Sequence, residues 1–161
     1  MRRLYSKRDL KYYTLMFNVL INLELTDKDY IWLISDIEAY PTDEKYAHLV
    51  NNNDYLLVTT DELVEMLKKE DFQWIWAVFS AIPSKYTKEE ILNFELPYVY
   101  SFSKDDYQPY RDEPKIQHPY AEFEIYAFDS SYMFIISNKE EILEKFKKSY
   151  PLYIEKIYSD K

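Results

Sequence analysis

A chain of 161 residues with no glycine must make every tight turn and close backbone approach with a side chain in the way. Average usage of about 7% would supply roughly eleven glycines at this length. Glycine alone takes φ > 0 without steric cost. The usual phosphate-cradling loop, dinucleotide fingerprint, kinase glycine loop and nucleophile elbow are therefore missing in their ordinary form. Turns that need φ > 0 fall to Asn and Asp, and the sequence offers Asn51, Asn52, Asn53 and Asp54 in one place and Asp129 in another.

The chain also has no cysteine, which removes disulfides, thiolate nucleophiles and cysteine-type zinc sites. Its 47% apolar and 19% aromatic content is that of a folding chain, and the expectation is one globular α+β domain over residues 1–161. The basic start MRRLYSKRDLKYY leads into an apolar run interrupted by Asn18, Asn22 and Glu24, unlike a signal peptide. No stretch approaches the roughly 20 apolar residues of a membrane span, and a cytoplasmic location is expected.

The net charge is −9, but residues 1–11 carry +4, leaving −13 on the remainder. An acidic body repels nucleic acid, whose binding relies on clustered Lys and Arg, so the macromolecular partner expected is a basic protein.

Periodicity predicts a mainly antiparallel or mixed sheet with three to four helices. A helix is expected over about 7–23, capped by Ser6 with Asp9 and apolar almost all round in its second half. DYIWLISDIEAY (29–40) reads as a strand. DYLLVTT passes into an amphipathic helix capped at Thr59 and Thr60, and FQWIWAVFSAIP (72–83) reads as a central strand covered on both faces. Thr87 with Glu90 caps a short helix; AEFEIYAF and SYMFIIS form a hairpin turning at Asp129 and Ser130. A helix capped by Ser137 with Glu140 and a last strand in PLYIEKIY follow. YLLVTTDELVEMLKK and YMFIISNKEEILEKFKK echo one another, so a duplicated βα or ββα unit would bring pseudo-symmetry.

Two acid pairs carry the available chemistry. Alternation puts Glu122 and Glu124 on one face of the hairpin strand, opposite Phe123 and Ile125, and puts Asp36 and Glu38 together on the 29–40 strand. The expected role of such acids is the solvated face of a strand. Were the two strands neighbours, four carboxylates would gather, with His118 nearby, as in a metal-dependent hydrolase; this is the alternative reading. Only His48 and His118 could serve histidine chemistry, and no glycine elbow presents Ser130 or Ser131 as a nucleophile. No enzyme motif and no cofactor site is read from the chain.

Residues 97–119 hold four of the seven prolines and form the one long irregular segment, with a possible short strand at Tyr98 to Phe102. Tyr107, Tyr110, Arg111 and Tyr120 are residue types enriched at interface centres; Asp105, Asp106, Asp112 and Glu113 supply an acidic rim, and His118 marks the junction with the hairpin. In composition the chain resembles small bacterial immunity proteins, many of them acidic single domains that mask a basic toxin; the resemblance covers no motif. The expected function is non-enzymatic masking of a basic partner through this loop.

Overall fold

The computed structural model describes residues 2–6, 14–108, 111 and 113–157. Its centre is a seven-stranded antiparallel sheet in the order β3-β2-β4-β7-β8-β1-β9. The strands are β1 (Arg2–Ser6), β2 (Tyr30–Ala39), β3 (Tyr55–Thr59), β4 (Trp74–Pro83), β7 (Phe123–Phe128), β8 (Tyr132–Ser137) and β9 (Ile154–Ile157). A separate two-stranded sheet pairs β5 (Tyr100–Ser101) with β6 (Asp106–Tyr107) inside the segment read as irregular.

One face of the sheet is covered by helices α1 (Met16–Asn22), α2 (Glu44–Asn51), α3 (Thr60–Lys69) and α5 (Glu140–Ser149). Their apolar sides meet Trp32, Ile34, Phe79, Phe123 and Ile125 in the main core. Burying one such large side chain is worth about 1.5–3 kcal/mol. The other face carries Val78, Tyr126, Phe134 and Ile136, closed over by Val99 and Ile116, with Leu33 and Ile82 closed over by Ile91 of the single-turn α4 (Lys88–Ile91). The described residues of the 86–120 segment thus form a second covering layer, and every residue of β7 is buried.

Local signals explain most elements. Thr59 with Glu62 and Thr87 with Glu90 both form complete capping boxes. Asp129 and Ser130 make the hairpin turn with φ of 48° and 56°, where a glycine would ordinarily sit. The Asn51–Asp54 run contributes no positive φ; Glu24, Asp36 and Asp105 do so instead.

Several expectations are corrected. The first segment is a strand: Ser6 ends β1, which pairs with β8 and β9, and Arg2 and Arg3 are structural, Arg2 bridging to Glu140 and Glu155 while Arg3 is buried against the Phe134 ring. The helix expected over 7–23 is described only from Met16, because Thr14 and Leu15 are not helical, and 7–13 lie outside the described residues. Its start is capped by a distant residue, the Phe17 amide donating to Asp71 Oδ1 at 3.2 Å. Nor is it covered all round, since Ile21 is 49% exposed. Helix α2, for which no element was read from the sequence, is capped by Asp43. Ser137 is the last residue of β8, and its Oγ accepts from the Lys139 amide just before α5.

The internal echo does not extend to a ββα duplication. β2 and β7 both run antiparallel to β4 and hence parallel to each other, and α3 and α5 lie on the same face. Yet β3 lies outward of β2 on one side of β4 and β8 outward of β7 on the other, so the two units have opposite hand. No rotation superposes them; strand-then-capped-helix chemistry accounts for the likeness.

Candidate functional site

A buried carboxylate is one of the ties that hold the long segment to the sheet. Glu124 is 0% exposed. Its Oε1 accepts from Ser80 Oγ at 3.1 Å and the His118 amide at 2.9 Å; its Oε2 accepts from the Gln117 amide at 2.9 Å and Tyr126 Oη at 2.6 Å. Burial pushes this carboxyl above its ordinary range, and the four donors pull the other way. The Gln117 side chain continues the tie: its Nε2 donates to the Tyr98 carbonyl at 2.7 Å and to Tyr126 Oη at 2.9 Å, while its Oε1 accepts from the Tyr98 amide at 3.2 Å. Alternation is as read from Phe123 onward, where the strand begins, but Ala121 packs with the Leu33, Ile82 and Ile91 cluster and Glu124 is not on a solvated face.

His118, expected at a binding surface, is fully buried. Its Nδ1 accepts from the Tyr120 amide at 3.2 Å, so the proton sits on Nε2, which donates to the Ile91 carbonyl at 3.0 Å. Burial lowers its pKa, opposed by the Ile91 contact, and the ring is a neutral strut under α4. Tyr120 stacks on Tyr86 with ring centroids 4.0 Å apart. Both residues pack the loop down.

The two acid pairs do not meet. β4 stands between β2 and β7, and among the described residues no group of three His, Asp or Glu is placed to hold a metal ion. Glu122 instead takes an ion pair from Lys139 at 2.7 Å and a hydrogen bond from Tyr30 Oη at 2.8 Å. Burial pushes its carboxyl up, but these two contacts more than offset that and hold it below its usual value.

Asp36 and Glu38 have a different setting. After Ser35 the β2–β4 register slips, Glu38 being the next residue to pair, with Trp76. Asp36 occupies this bulge with φ of 51°. Its Oδ2 accepts from the amides of Val99 at 2.7 Å and Tyr100 at 3.2 Å, which fixes the carboxylate. Asp36, Ile37 and Glu38 then line a cleft of about 520 Å³ with Trp76, Tyr100, Phe102 and Tyr107. Tyr100 and Tyr107 stack at 4.2 Å with 29° between planes; Trp76 lies 6.3 Å from Tyr107 at 37°, and Phe102 stands edge-on to Tyr100 at 76°. Phe102 is 89% exposed. Neither Asp36 Oδ1 nor Glu38 Oε2 accepts a hydrogen bond from the described residues; Glu38 Oε1 accepts from Tyr40 Oη at 3.2 Å.

Of the loop residues singled out from the sequence, Tyr107 lines this cleft and Asp105 orients its wall, accepting from Tyr100 Oη at 3.1 Å. Asp106 is turned inward: Arg111 forms a two-pronged ion pair with it, and Tyr98 Oη and Gln108 Nε2 donate to it, which together hold its carboxyl below the ordinary range. Glu113 is exposed, and Tyr110 and Asp112 lie outside the described residues. Sequence reasoning missed Trp76, Tyr100 and Phe102 as cleft residues. The signal for Tyr100 and Phe102 was the possible strand at Tyr98 to Phe102, part of which pairs with Asp106–Tyr107; Trp76 lies on β4.

Among the described residues no helix is long and apolar enough to cross a membrane. No protein-family model matches the chain, and neither a curated protein nor a solved structure matches it.

Proposed function

We propose that this is a non-enzymatic binding protein that engages a basic protein partner, with the cleft between the β2 bulge and the β5–β6 hairpin as its contact point. The observation that carries the reading is the convergence of one acid pair with the aromatic loop: Asp36 and Glu38 share a single concavity with Trp76, Tyr100, Phe102 and Tyr107. Aromatic faces attract cations, and carboxylates with unspent oxygens complete the complementarity. The net charge of −9 steers a basic partner toward the molecule from a distance. Masking of a basic protein in the manner of an inhibitor or immunity protein fits this chemistry. The acid cluster required by a metal-dependent hydrolase lacks its strand adjacency.

The test uses capped peptides of equal length that are basic, neutral or acidic, titrated while following tryptophan fluorescence, to which Trp76 contributes, and by calorimetry. Basic peptides are expected to bind, more weakly as salt rises, and Glu38→Lys to abolish binding. Glu122→Lys, outside the cleft, leaves binding intact. Equal binding of all three peptides, or unchanged binding of basic peptides by Glu38→Lys, would overturn the reading.

A further inference from the structure

Resting on that reading, we infer that the cleft is an arginine socket: it takes one guanidinium of the partner, slid between the aromatic wall and the Asp36 and Glu38 carboxylates, in preference to a lysine or a methylated ammonium. Three features of the cleft carry this.

The wall comes first. Tyr100 and Tyr107 are stacked within 29° of parallel, and Trp76 is tilted only 37° from Tyr107. Tyr100 and Tyr107 lie face on face, so the pair offers the cleft an outer ring face, with Trp76 set 6.3 Å from Tyr107. A quaternary ammonium is recognised by rings that surround it, whereas a planar guanidinium needs one flat surface on which to stack. Phe102, edge-on at 76°, closes one end.

The acids come second. Asp36 has Oδ2 pinned by two backbone amides, so its Oδ1 is held in a fixed direction without side-chain entropy left to lose. Glu38 adds a second carboxylate two residues on, across the bulge, with Oε2 unspent among the described hydrogen bonds. Two acceptors on one rim match the forked donors of a guanidinium, which bonds in several directions at once.

Solvation comes third. An ammonium is compact and strongly hydrated and must give up water to lie against the ring faces of this cleft, whereas a guanidinium is more weakly hydrated and stacks there at lower cost.

The experiment compares two capped peptides of equal length and charge, one with arginine and one with lysine as its only basic residue type, and a third carrying trimethyl-lysine. The arginine peptide is expected to bind about tenfold more tightly than either. The exposed substitutions Phe102→Ala and Glu38→Gln, which leave the fold intact, reduce that ratio, and combined they bring it close to one. Equal or tighter binding of the lysine or trimethyl-lysine peptide overturns the socket while leaving the basic-partner reading standing. An arginine preference that survives the double variant places the selectivity elsewhere and also overturns it. Failure of every basic peptide to bind overturns the function itself, and the socket with it.

Discussion

Glu122 and Glu124 on one side of β4, and Asp36 and Glu38 on the other, are nearly the same motif in sequence: two acids two residues apart in a stretch of strand composition, although Glu122 stands just before β7. Their outcomes are opposite. β7 lies inside the sheet and is crossed by the returning chain at Gln117 and His118, which brings two backbone amides and, with Ser80 and Tyr126, two hydroxyls onto Glu124. Glu122 is spent on Lys139 and Tyr30. At residues 36–38, by contrast, β2 bulges off β4, and the covering hairpin delivers its amides to only one oxygen of Asp36 and none to Glu38. Spacing assigns a face only along an unbroken strand, and the bulge at Asp36 breaks it. Whether the carboxylate becomes a structural anchor or an available group depends on how many donors another segment brings to it.

The largest expected effect breaks the anchor. Glu124→Leu leaves two backbone amides, Ser80 Oγ and Tyr126 Oη without their acceptor, and is expected to cost about 3 kcal/mol or more in urea unfolding. The Gln117 and His118 amides should also lose hydrogen-exchange protection. A loss below about 1 kcal/mol would mean that the loop is held by its apolar contacts and its other hydrogen bonds, those to Asp36 among them, and not by Glu124. If the variant does not fold, Tyr126→Phe probes the same knot more gently. It removes one donor to Glu124 and one acceptor for Gln117, with an expected cost of about 1 kcal/mol.

The frame of the fold was legible because its signals are local. Thr59 and Thr87 announce their helices, and the apolar run at 72–83 announces a strand buried on both faces. What was not legible depends on partners far away in sequence. Arg2–Ser6 forms a strand only because β8 and β9 receive it from more than 120 residues away. α1 takes its cap from Asp71, and Glu124 is buried only because the loop folds back over it. Half of the site could be read: Tyr107, Asp36 and Glu38 were singled out, but a sequence does not reveal that a bulge and a two-stranded sheet bring them to one cleft. His118 looked like a surface residue because it stands beside a proline-rich loop, and the tertiary fold buries it.

A smaller effect tests the buried side of the comparison by pH. Burial lowers the His118 pKa in the folded state, so its contribution to stability is fully present above the unfolded value of about 6.5. That contribution is lost as pH falls from there through the lowered folded value, because the unfolded chain takes up a proton that the folded chain refuses. The signature is the difference in unfolding free energy between pH 7.5 and 5.5, about one unit either side of that value, for wild type against His118→Gln. Wild type should lose more on acidification. An identical pH dependence in both would show that the ring is not held neutral.

The smallest expected effect bears most directly on the cleft. Glu38 is exposed, and its one described hydrogen bond, from Tyr40, is 3.2 Å long, so Glu38→Gln should change stability by no more than about 0.5 kcal/mol. Asp36→Asn keeps an acceptor for the Val99 and Tyr100 amides and a residue type that tolerates φ of 51°, so it removes the charge at little further cost. The double variant should therefore melt within a few degrees of wild type and yet fail to bind basic peptides. Should it instead lose as much stability as Glu124→Leu, the two acid pairs would be alike after all: Asp36 and Glu38 would be anchors of the β5–β6 hairpin, and the cleft would have no carboxylate to offer a partner.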